Sequence, residues 1–121
     1  MAGDAAEGAR LPAAALVVAE QLPDNDPQKP VLLAYKAKYE AKYGPVSTFG
    51  GHGYDSLMIA RAALERAGGP DKAKVRDEIE KTKGFIGTAG VFNMTPENHM
   101  GLGPDAFKLV EIRNGAWKII N

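Results

Sequence analysis

The pattern of apolar and polar positions along the chain first predicts a strand. Residues 11–20 form a short apolar run, which suits either a buried strand or a buried helical turn. Pro12 disfavours a helix through the beginning of this run, and Val17-Val18 favour extended backbone. We therefore predict a strand over residues 11–20. Residues 23–27 are dense in proline, aspartate and asparagine and predict a turn after it.

A helix is predicted over residues 29–43. Its apolar side chains recur every three or four positions, so they share one helical face. These side chains are Leu32, Tyr35, Tyr39 and Tyr43. Gly44 stands where helices commonly end in a left-handed conformation, and Pro45 prevents the helix from continuing.

Two further helices are predicted in the middle of the chain. Residues 46–53 contain three glycines and predict a loop, after which a second helix is expected from near Tyr54 to Ala67. The apolar stripe that we expect to face the core consists of Tyr54, Leu57, Ala60, Leu64 and Ala67. Asp71 opens a third helix, because a carboxylate there accepts free backbone N–H groups, and Gly84 closes it.

The last third of the chain predicts extended structure. Residues 85–92 suit a strand or an irregular extended segment. The glycines of residues 84–90 lack the Lys-Ser/Thr pair and the helix that a phosphate loop requires, so they predict a tight turn. Asn114-Gly115 separates two strand-like runs, 107–113 and 116–120, and predicts a hairpin, since both central residues of a type I′ turn need positive φ.

The composition excludes several classes of function. The chain has 121 residues, which is the length of a single typical domain. Its 15 basic and 15 acidic residues give a net charge of zero. A neutral chain is a poor general binder of nucleic acid. The absence of cysteine excludes disulfides, thiolate metal sites and cysteine nucleophiles. The N-terminus is acidic and has neither the basic nor the apolar region of a secretion signal.

No constellation of catalytic or metal-binding residues stands out in the sequence. His52 and His99 lie in different loops and show no metal-ligand spacing, so they are interpreted as polar loop histidines. Asp77, Glu78 and Glu80 lie among basic residues and indicate a solvated helix surface, not an acid/base pair. We therefore expect a protein that is not an enzyme and that has no metal and no cofactor.

One segment is a candidate binding site, namely the glycine-rich stretch that leads into the second helix. Free backbone N–H groups at a helix N-terminus bind carboxylates, and glycines let a ligand approach closely. The candidate residues are Phe49, Gly50, Gly51, His52 and Tyr54. The alternative is a packed turn in which Tyr54 belongs to the core and Asp55 caps the helix.

The predicted elements do not complete a fold by themselves. Three amphipathic helices need a sheet to cover, and an α/β protein places a parallel sheet of about five strands between its helices. Here the second and third helices follow each other with no strand between them. We therefore expect part of a larger α/β protein, or a chain that completes itself by association.

Four motifs, by their order and spacing, resemble one family. They are Gly3-Asp4-Ala5-Ala6-Glu7-Gly8, Tyr39-Glu40-x-x-Tyr43-Gly44, Tyr54-Asp55-Ser56-Leu57 leading into Ala62-Ala63-Leu64-Glu65-Arg66-Ala67-Gly68, and Phe85-x-Gly87-x-x-Gly90-Val91-Phe92-Asn93. The resemblance covers essentially the whole chain, from residue 3 to residue 120. They are similar to motifs of the periplasmic substrate-binding proteins of ABC importers, of the branched-chain amino acid type with the type I fold.

The resemblance implies an α/β fold of two lobes that close on a ligand by a hinge motion, with this chain as the C-terminal third. Residues 1–22 would end the second lobe and enter a crossover. Residues 29–83 would be first-lobe helices, and residues 91–121 would be second-lobe strands. Both lobes would be incomplete, so we expect exposed apolar faces and a homo-oligomer formed by self-association.

The resemblance also implies a function. The chain would belong to the non-catalytic solute-binding component of an ABC importer for a branched-chain amino acid or a related small carboxylate. Its location would be periplasmic and its protein partner a membrane permease. By this resemblance, Gly51 falls where family members can carry a bulky side chain, so a glycine there would leave room for a larger ligand, such as an aromatic acid. Two alternatives remain: a self-associating structural domain without a solute site, and a cytoplasmic ligand-sensing domain of the same fold.

Overall fold

A computed structural model describes residues 3–120 of the chain. Its strands are β1 (Arg10–Ala14), β2 (Phe85–Ile86), β3 (Val91–Phe92), β4 (Phe107–Arg113) and β5 (Ala116–Ile119). Its α-helices are α1 (Lys29–Tyr43), α2 (Thr48–Ala67) and α3 (Lys72–Glu80). Short 3₁₀ helices cover Gly3–Ala6, Ala15–Gln21 and Pro104–Ala106. No helix within residues 3–120 is both long enough and apolar enough to cross a bilayer.

The larger sheet joins the two ends of the chain. Its strand order is β1-β4-β5 and both pairings are antiparallel. The β4–β5 connection is the predicted hairpin, and its turn residues Asn114 and Gly115 have φ values of 54° and 71°. Both are positive, as a type I′ turn requires, so this prediction is confirmed. Pro12 lies in β1, an edge strand, where a missing backbone N–H is tolerated.

The prediction of a strand over residues 11–20 is wrong for its second half. Strand β1 ends at Ala14, where pairing with β4 ends at Phe107. The chain then coils into the 3₁₀ helix Ala15–Gln21, which buries Leu16 and Val18 completely or nearly so. A short apolar run fits a buried strand and a buried helical turn equally well. Here its first part forms a strand that is exposed or half-buried, and its second part forms a buried helix.

Helix α1 matches its prediction, whereas α3 begins at the predicted cap, Asp71, but ends at Glu80, before the predicted Gly84. Leu32 of α1 is fully buried and packs in a core cluster with Leu16 and Leu22. Gly44 ends α1 with a φ of 83°, in the region where glycine is favoured. Asp71 caps α3, since its carboxylate accepts the backbone N–H of Lys74 at 2.9 Å.

Helix α2 begins six residues earlier than predicted. Ser47 caps it by accepting the backbone N–H of Gly50 at 3.3 Å, so Asp55 is not the cap. Residues 48–53, predicted as part of a loop, form the first turns of the helix. Each glycine costs about 1 kcal/mol relative to alanine in a helix. The serine cap offsets part of this cost, and Gly51 allows close packing against Leu16.

The face that α2 turns to the core also differs from the prediction. The buried positions are Gly51, Asp55, Ile59 and Ala63, which follow each other at intervals of four. The predicted stripe instead points away from the core: Leu57 is 68% exposed and Leu64 is 43% exposed. Packing against residues far along the chain therefore decides the orientation of α2, and its apolar periodicity does not.

Candidate ligand-binding groove

A groove of about 400 Å³ lies where β1 meets the N-terminal turns of α2. We call it the β1 groove. Its lining comes from β1, the following 3₁₀ helix, the first two turns of α2, the turn between β2 and β3, and the segment from residue 102 to β5. The lining residues are Leu11, Pro12, Ala13, Ala14, Val17, Thr48, His52, Ala89, Leu102, Ala106, Phe107 and Trp117. Most of this surface is apolar, which suits a hydrocarbon or aromatic group.

The polar side of the β1 groove is the N-terminus of α2. Thr48 and His52 are one helical turn apart, so their side chains share a face of α2, and both line the groove. The Ser47 hydroxyl accepts a hydrogen bond from the Gly50 N–H at this end of α2. The positive end of the helix dipole also lies at this N-terminus. Trp117 of β5 also lines the groove. The arrangement combines an apolar cavity with an end that favours negative charge.

The carboxylate of Asp55 holds the turn between β2 and β3. Asp55 is 1% exposed, and its carboxylate accepts the backbone N–H of Thr88 at 2.7 Å, the Thr88 hydroxyl at 3.0 Å and the backbone N–H of Ala89 at 2.8 Å. A buried carboxylate is costly unless it is well hydrogen-bonded, and these three bonds offset that cost. They also fix the position of Ala89, which lines the β1 groove.

The opposite side of the same turn is held by Gln28, which directly precedes α1. Its side-chain amide donates to the carbonyl oxygens of Gly87 at 3.0 Å and Thr88 at 3.2 Å. The Gly87 N–H closes the turn by donating to the Gly90 carbonyl at 2.8 Å. A Cβ atom at Gly87 would lie 2.8 Å from the Asp55 carboxylate, so only glycine fits there. The predicted tight turn is thus confirmed, and it has buried partners on both sides.

The five predicted site residues do not converge on one site. His52 is the only one of them that lines the β1 groove. Phe49 is 86% exposed, and Gly50 faces the Tyr35 hydroxyl. Tyr54 lines a different groove. These five positions fall on several faces of α2 because they lie in a helix and not in a loop.

Gly51 does not open space for a ligand, contrary to the expectation from the resemblance. A Cβ atom at this position would lie 2.5 Å from the Thr88 hydroxyl oxygen and 2.9 Å from a Leu16 methyl carbon. The room left by the missing side chain is thus filled by the protein itself. The glycine lets α2 approach the 3₁₀ helix and the β2–β3 turn.

The sequence interpretation missed the turn that Asp55 holds and most of the apolar lining. The available signal was the interval of four between Gly51 and Asp55, because two residues four apart lie on the same helix face. With the helix expected to begin near Tyr54, that relation could not be seen. Phe107 and Trp117 were predicted only as strand residues, since pairing of β1 with β4 is what brings them to the groove.

A second groove, of about 470 Å³, lies between α1 and α2, and we call it the tyrosine groove. All four tyrosines of the chain line it, together with Lys38 and Lys42. The ring of Tyr35 contacts two of the others, with centroid separations of 5.0 Å to Tyr54 and 5.7 Å to Tyr39. Burial raises the pKa of the Tyr35 hydroxyl, and Tyr39 adds to the shift.

Comparison with known proteins identifies the family. A family model described as periplasmic binding protein matches residues 1–116. The chain therefore belongs to the periplasmic binding protein family, whose members bind solutes. Among curated proteins, none matches this chain.

In the part of the chain that the structure describes, no three His, Cys, Asp or Glu side chains are grouped as a metal site requires.

Solved structures confirm the fold as that of the type I periplasmic binding proteins. An extracellular ligand-binding receptor from Rhodopseudomonas palustris HaA2 superposes with a TM-score of 0.86 at 33% identity over 98% of this chain and 35% of its own. A second receptor from that strain gives 0.86 at 26% identity, with coverages of 99% and 36%. The leucine-binding protein LivK from Thermotoga maritima gives 0.74 at 28%, with coverages of 98% and 31%. The chain thus spans about a third of the length of these relatives.

Proposed function

We propose that the chain forms part of the solute-binding component of an ABC importer for a branched-chain amino acid or a related small carboxylate, aromatic acids included. The observation that carries the proposal is the β1 groove, with an apolar lining and a helix N-terminus at one side. The printed names of the relatives, extracellular ligand-binding receptor and leucine-binding protein, support it.

The two parts of the groove suit the two parts of such a ligand. The apolar walls, with Trp117 and Phe107, accept an aliphatic or aromatic group, and burial of each CH₂ contributes about 0.8 kcal/mol. The N-terminal turns of α2, with Thr48 and His52, accept a carboxylate. Binding and closure need no bond chemistry, so the protein acts without catalysis. His52 is our proposed ligand contact, whereas Gly51 acts by letting α2 pack closely.

The pairing of β1 with β4 supports the proposed division of the chain. It ties residues 10–14 to residues 107–111, as expected if the two ends of the chain belong to the second lobe, while residues 29–83 supply first-lobe helices. A receptor of this kind works outside the cytoplasmic membrane and delivers its ligand to a membrane permease. We propose that location and that partner for the protein to which this chain contributes.

The emission of Trp117 offers a direct test, because it is the only tryptophan of the chain and lines the β1 groove. The chain should be titrated with leucine, isoleucine, valine, phenylalanine and benzoate. Saturable change in emission with one of them, lost in His52→Ala and kept in His99→Ala, is the expected result. His99 is a suitable control because it does not line this groove and lies 3.2 Å from Glu80. Emission unaffected by every compound at millimolar concentration would contradict a solute site formed by the β1 groove of this chain.

A further inference from the structure

Residues 93–101, which follow β3, form a loop that closes on itself, and we call it the methionine loop. The backbone N–H of Asn93 donates to the Gly101 carbonyl at 2.7 Å, so the two ends of the loop meet. The Asn98 side-chain oxygen accepts the backbone N–H groups of Met100 and Gly101, both at 3.1 Å. These hydrogen bonds are made within the loop, and compact loops of this kind are frequently functional.

The methionine loop places three soft donor side chains on one cavity. Met94, His99 and Met100 all line a cavity of about 310 Å³ that α2 bounds on another side. The Met94 side chain is buried and lies against Gly101, where an added Cβ atom would come within 2.8 Å of the Met94 Cγ. Because Met100 directly precedes Gly101, the Met94 thioether lies next to the backbone that carries Met100.

The ring of His99 is held by a carboxylate, as the rings of metal-binding histidines commonly are. Its Nε2 lies 3.2 Å from Oε1 of Glu80, the last residue of α3. A carboxylate accepts hydrogen bonds, so Nε2 carries the proton and Nδ1 of the neutral ring keeps its lone pair. Histidine ligands almost always donate their other ring N–H to such a partner, which fixes the orientation of the ring. The contact with Glu80 therefore leaves Nδ1 as a donor atom for a metal.

We propose that Met94, His99 and Met100 bind a soft monovalent metal ion of the Cu(I) class, through two thioether sulfurs and one imidazole nitrogen. Thioether ligands are soft and polarisable, and soft ligands select Cu(I). Zn²⁺ is bound by thiolate, imidazole and carboxylate groups, and only one of the three side chains is of that kind. Ca²⁺ and Mg²⁺ prefer oxygen ligands, which this set does not offer.

The exposure of the three side chains gives the metal a way in. Met94 is 8% exposed and forms the base of the site, whereas Met100 is 73% exposed and the His99 side chain is 63% exposed. A metal site needs such an entry path. None of the three donors lines the β1 groove, so the metal site does not depend on the solute site.

Competition with the Cu(I) chelator bicinchoninate, with ascorbate present and oxygen excluded, tests the proposal on the 121-residue chain. We expect the chain to take one Cu(I) from the chelator. Loss of an outer partner of a metal ligand alone costs about 10–100-fold in affinity, so Met94→Leu, Met100→Leu and His99→Ala should each cost at least ~10-fold.

Met58→Leu is the matched control, because Met58 lies in α2 and does not line this cavity. Leucine nearly preserves the volume of methionine, so the fold should be kept in all the leucine variants, and circular dichroism checks this. A wild-type chain that takes no Cu(I) overturns the proposal. An affinity that Met94→Leu and Met100→Leu leave unchanged, or that Met58→Leu lowers equally, overturns it as well.

A second measurement identifies the ligands in the unsubstituted chain. With ¹³C-labelled methionine methyl groups, Ag(I) should shift the resonances of Met94 and Met100 and leave that of Met58 in place. Ag(I) is a suitable probe because the chain has no cysteine to compete for it. A shift at only one of the two, or at neither, contradicts the three-ligand site. His99→Ala is expected to lose the metal and to keep the solute response of the β1 groove, so the two sites fail separately.

Discussion

The carboxylate of Asp55 accepts the backbone N–H of Thr88 at 2.7 Å, a bond that joins the middle of α2 to the β2–β3 turn 33 residues later. Both groups are buried. This relationship fixes which face of α2 turns inward, and it brings Ala89 to the β1 groove beside His52. It therefore links the orientation of a helix, the shape of a turn and the candidate binding site.

Removing the Asp55 carboxylate should destabilise the protein strongly. Asp55→Ala leaves two backbone N–H groups and one hydroxyl buried without their acceptor, and each unsatisfied group costs about 1–3 kcal/mol. We expect the free energy of unfolding, measured with urea, to fall by about 3 kcal/mol or more. Asp77→Ala, on the exposed face of α3, should change it by less than ~0.5 kcal/mol. Equal effects of the two substitutions would contradict the role of Asp55.

Two glycines of α2 should respond to alanine with opposite signs. In Gly51→Ala the new methyl group meets Thr88 and Leu16 below 3 Å, so overpacking of about 1–3 kcal/mol outweighs the gain in helix propensity. In Gly53→Ala the methyl group meets nothing within 4 Å, so the variant should gain about 0.5–1 kcal/mol. Thermal melts of both variants measure the change in stability. Stabilisation by Gly51→Ala would show that the space beside Gly51 is open and would contradict the packing described above.

Glu111 should make stability depend on pH in the acidic range. Hydrogen bonds from Arg113 and then from Arg10 lower the pKa of its carboxyl below the usual 4.5. A lowered pKa in the folded state means that the stabilisation is complete above the unfolded value and is lost as pH falls through the folded one. Between pH 6 and pH 3, Glu111→Gln should therefore lose less stability than the wild type.

The matched control for that comparison is Glu97→Gln, because Glu97 is an exposed loop residue. Its unfolding free energy should follow the wild-type pH dependence throughout. Added salt should reduce the difference between wild type and Glu111→Gln, since both arginines are largely exposed. A wild-type protein whose acid sensitivity matches that of Glu111→Gln would contradict the account.

Local chemistry made part of the fold predictable. The helix ends at Gly44 and Asp71 and the turn at Asn114-Gly115 depend on neighbouring residues alone, and all three are confirmed. The beginning and the orientation of α2 depend on Leu16 and Thr88, which lie far from it in sequence. The low helix propensity of the glycines therefore made the predicted start of α2 too late. The apolar periodicity of α2 led to the wrong prediction that its exposed stripe faces the core.

The candidate site shows the same limit. His52 is polar, lies near a helix N-terminus and could be selected from the sequence. The apolar walls could not, because they exist only after β1 pairs with β4 and the β2–β3 turn packs on α2. Family resemblance supplied the kind of fold and the class of ligand. It also suggested space at Gly51, which the packing of Thr88 fills.

The most direct test of the account is a thermal melt of the chain with and without small carboxylates. A ligand present at about 100 times its Kd stabilises the folded state by about 2.7 kcal/mol, which raises the Tm of a domain of this size by about 10 °C or more. We predict such a shift with one branched-chain amino acid or aromatic acid, and its loss in His52→Ala but not in His99→Ala. A Tm that no compound moves, or a shift that His52→Ala retains in full, would contradict a solute site in the β1 groove.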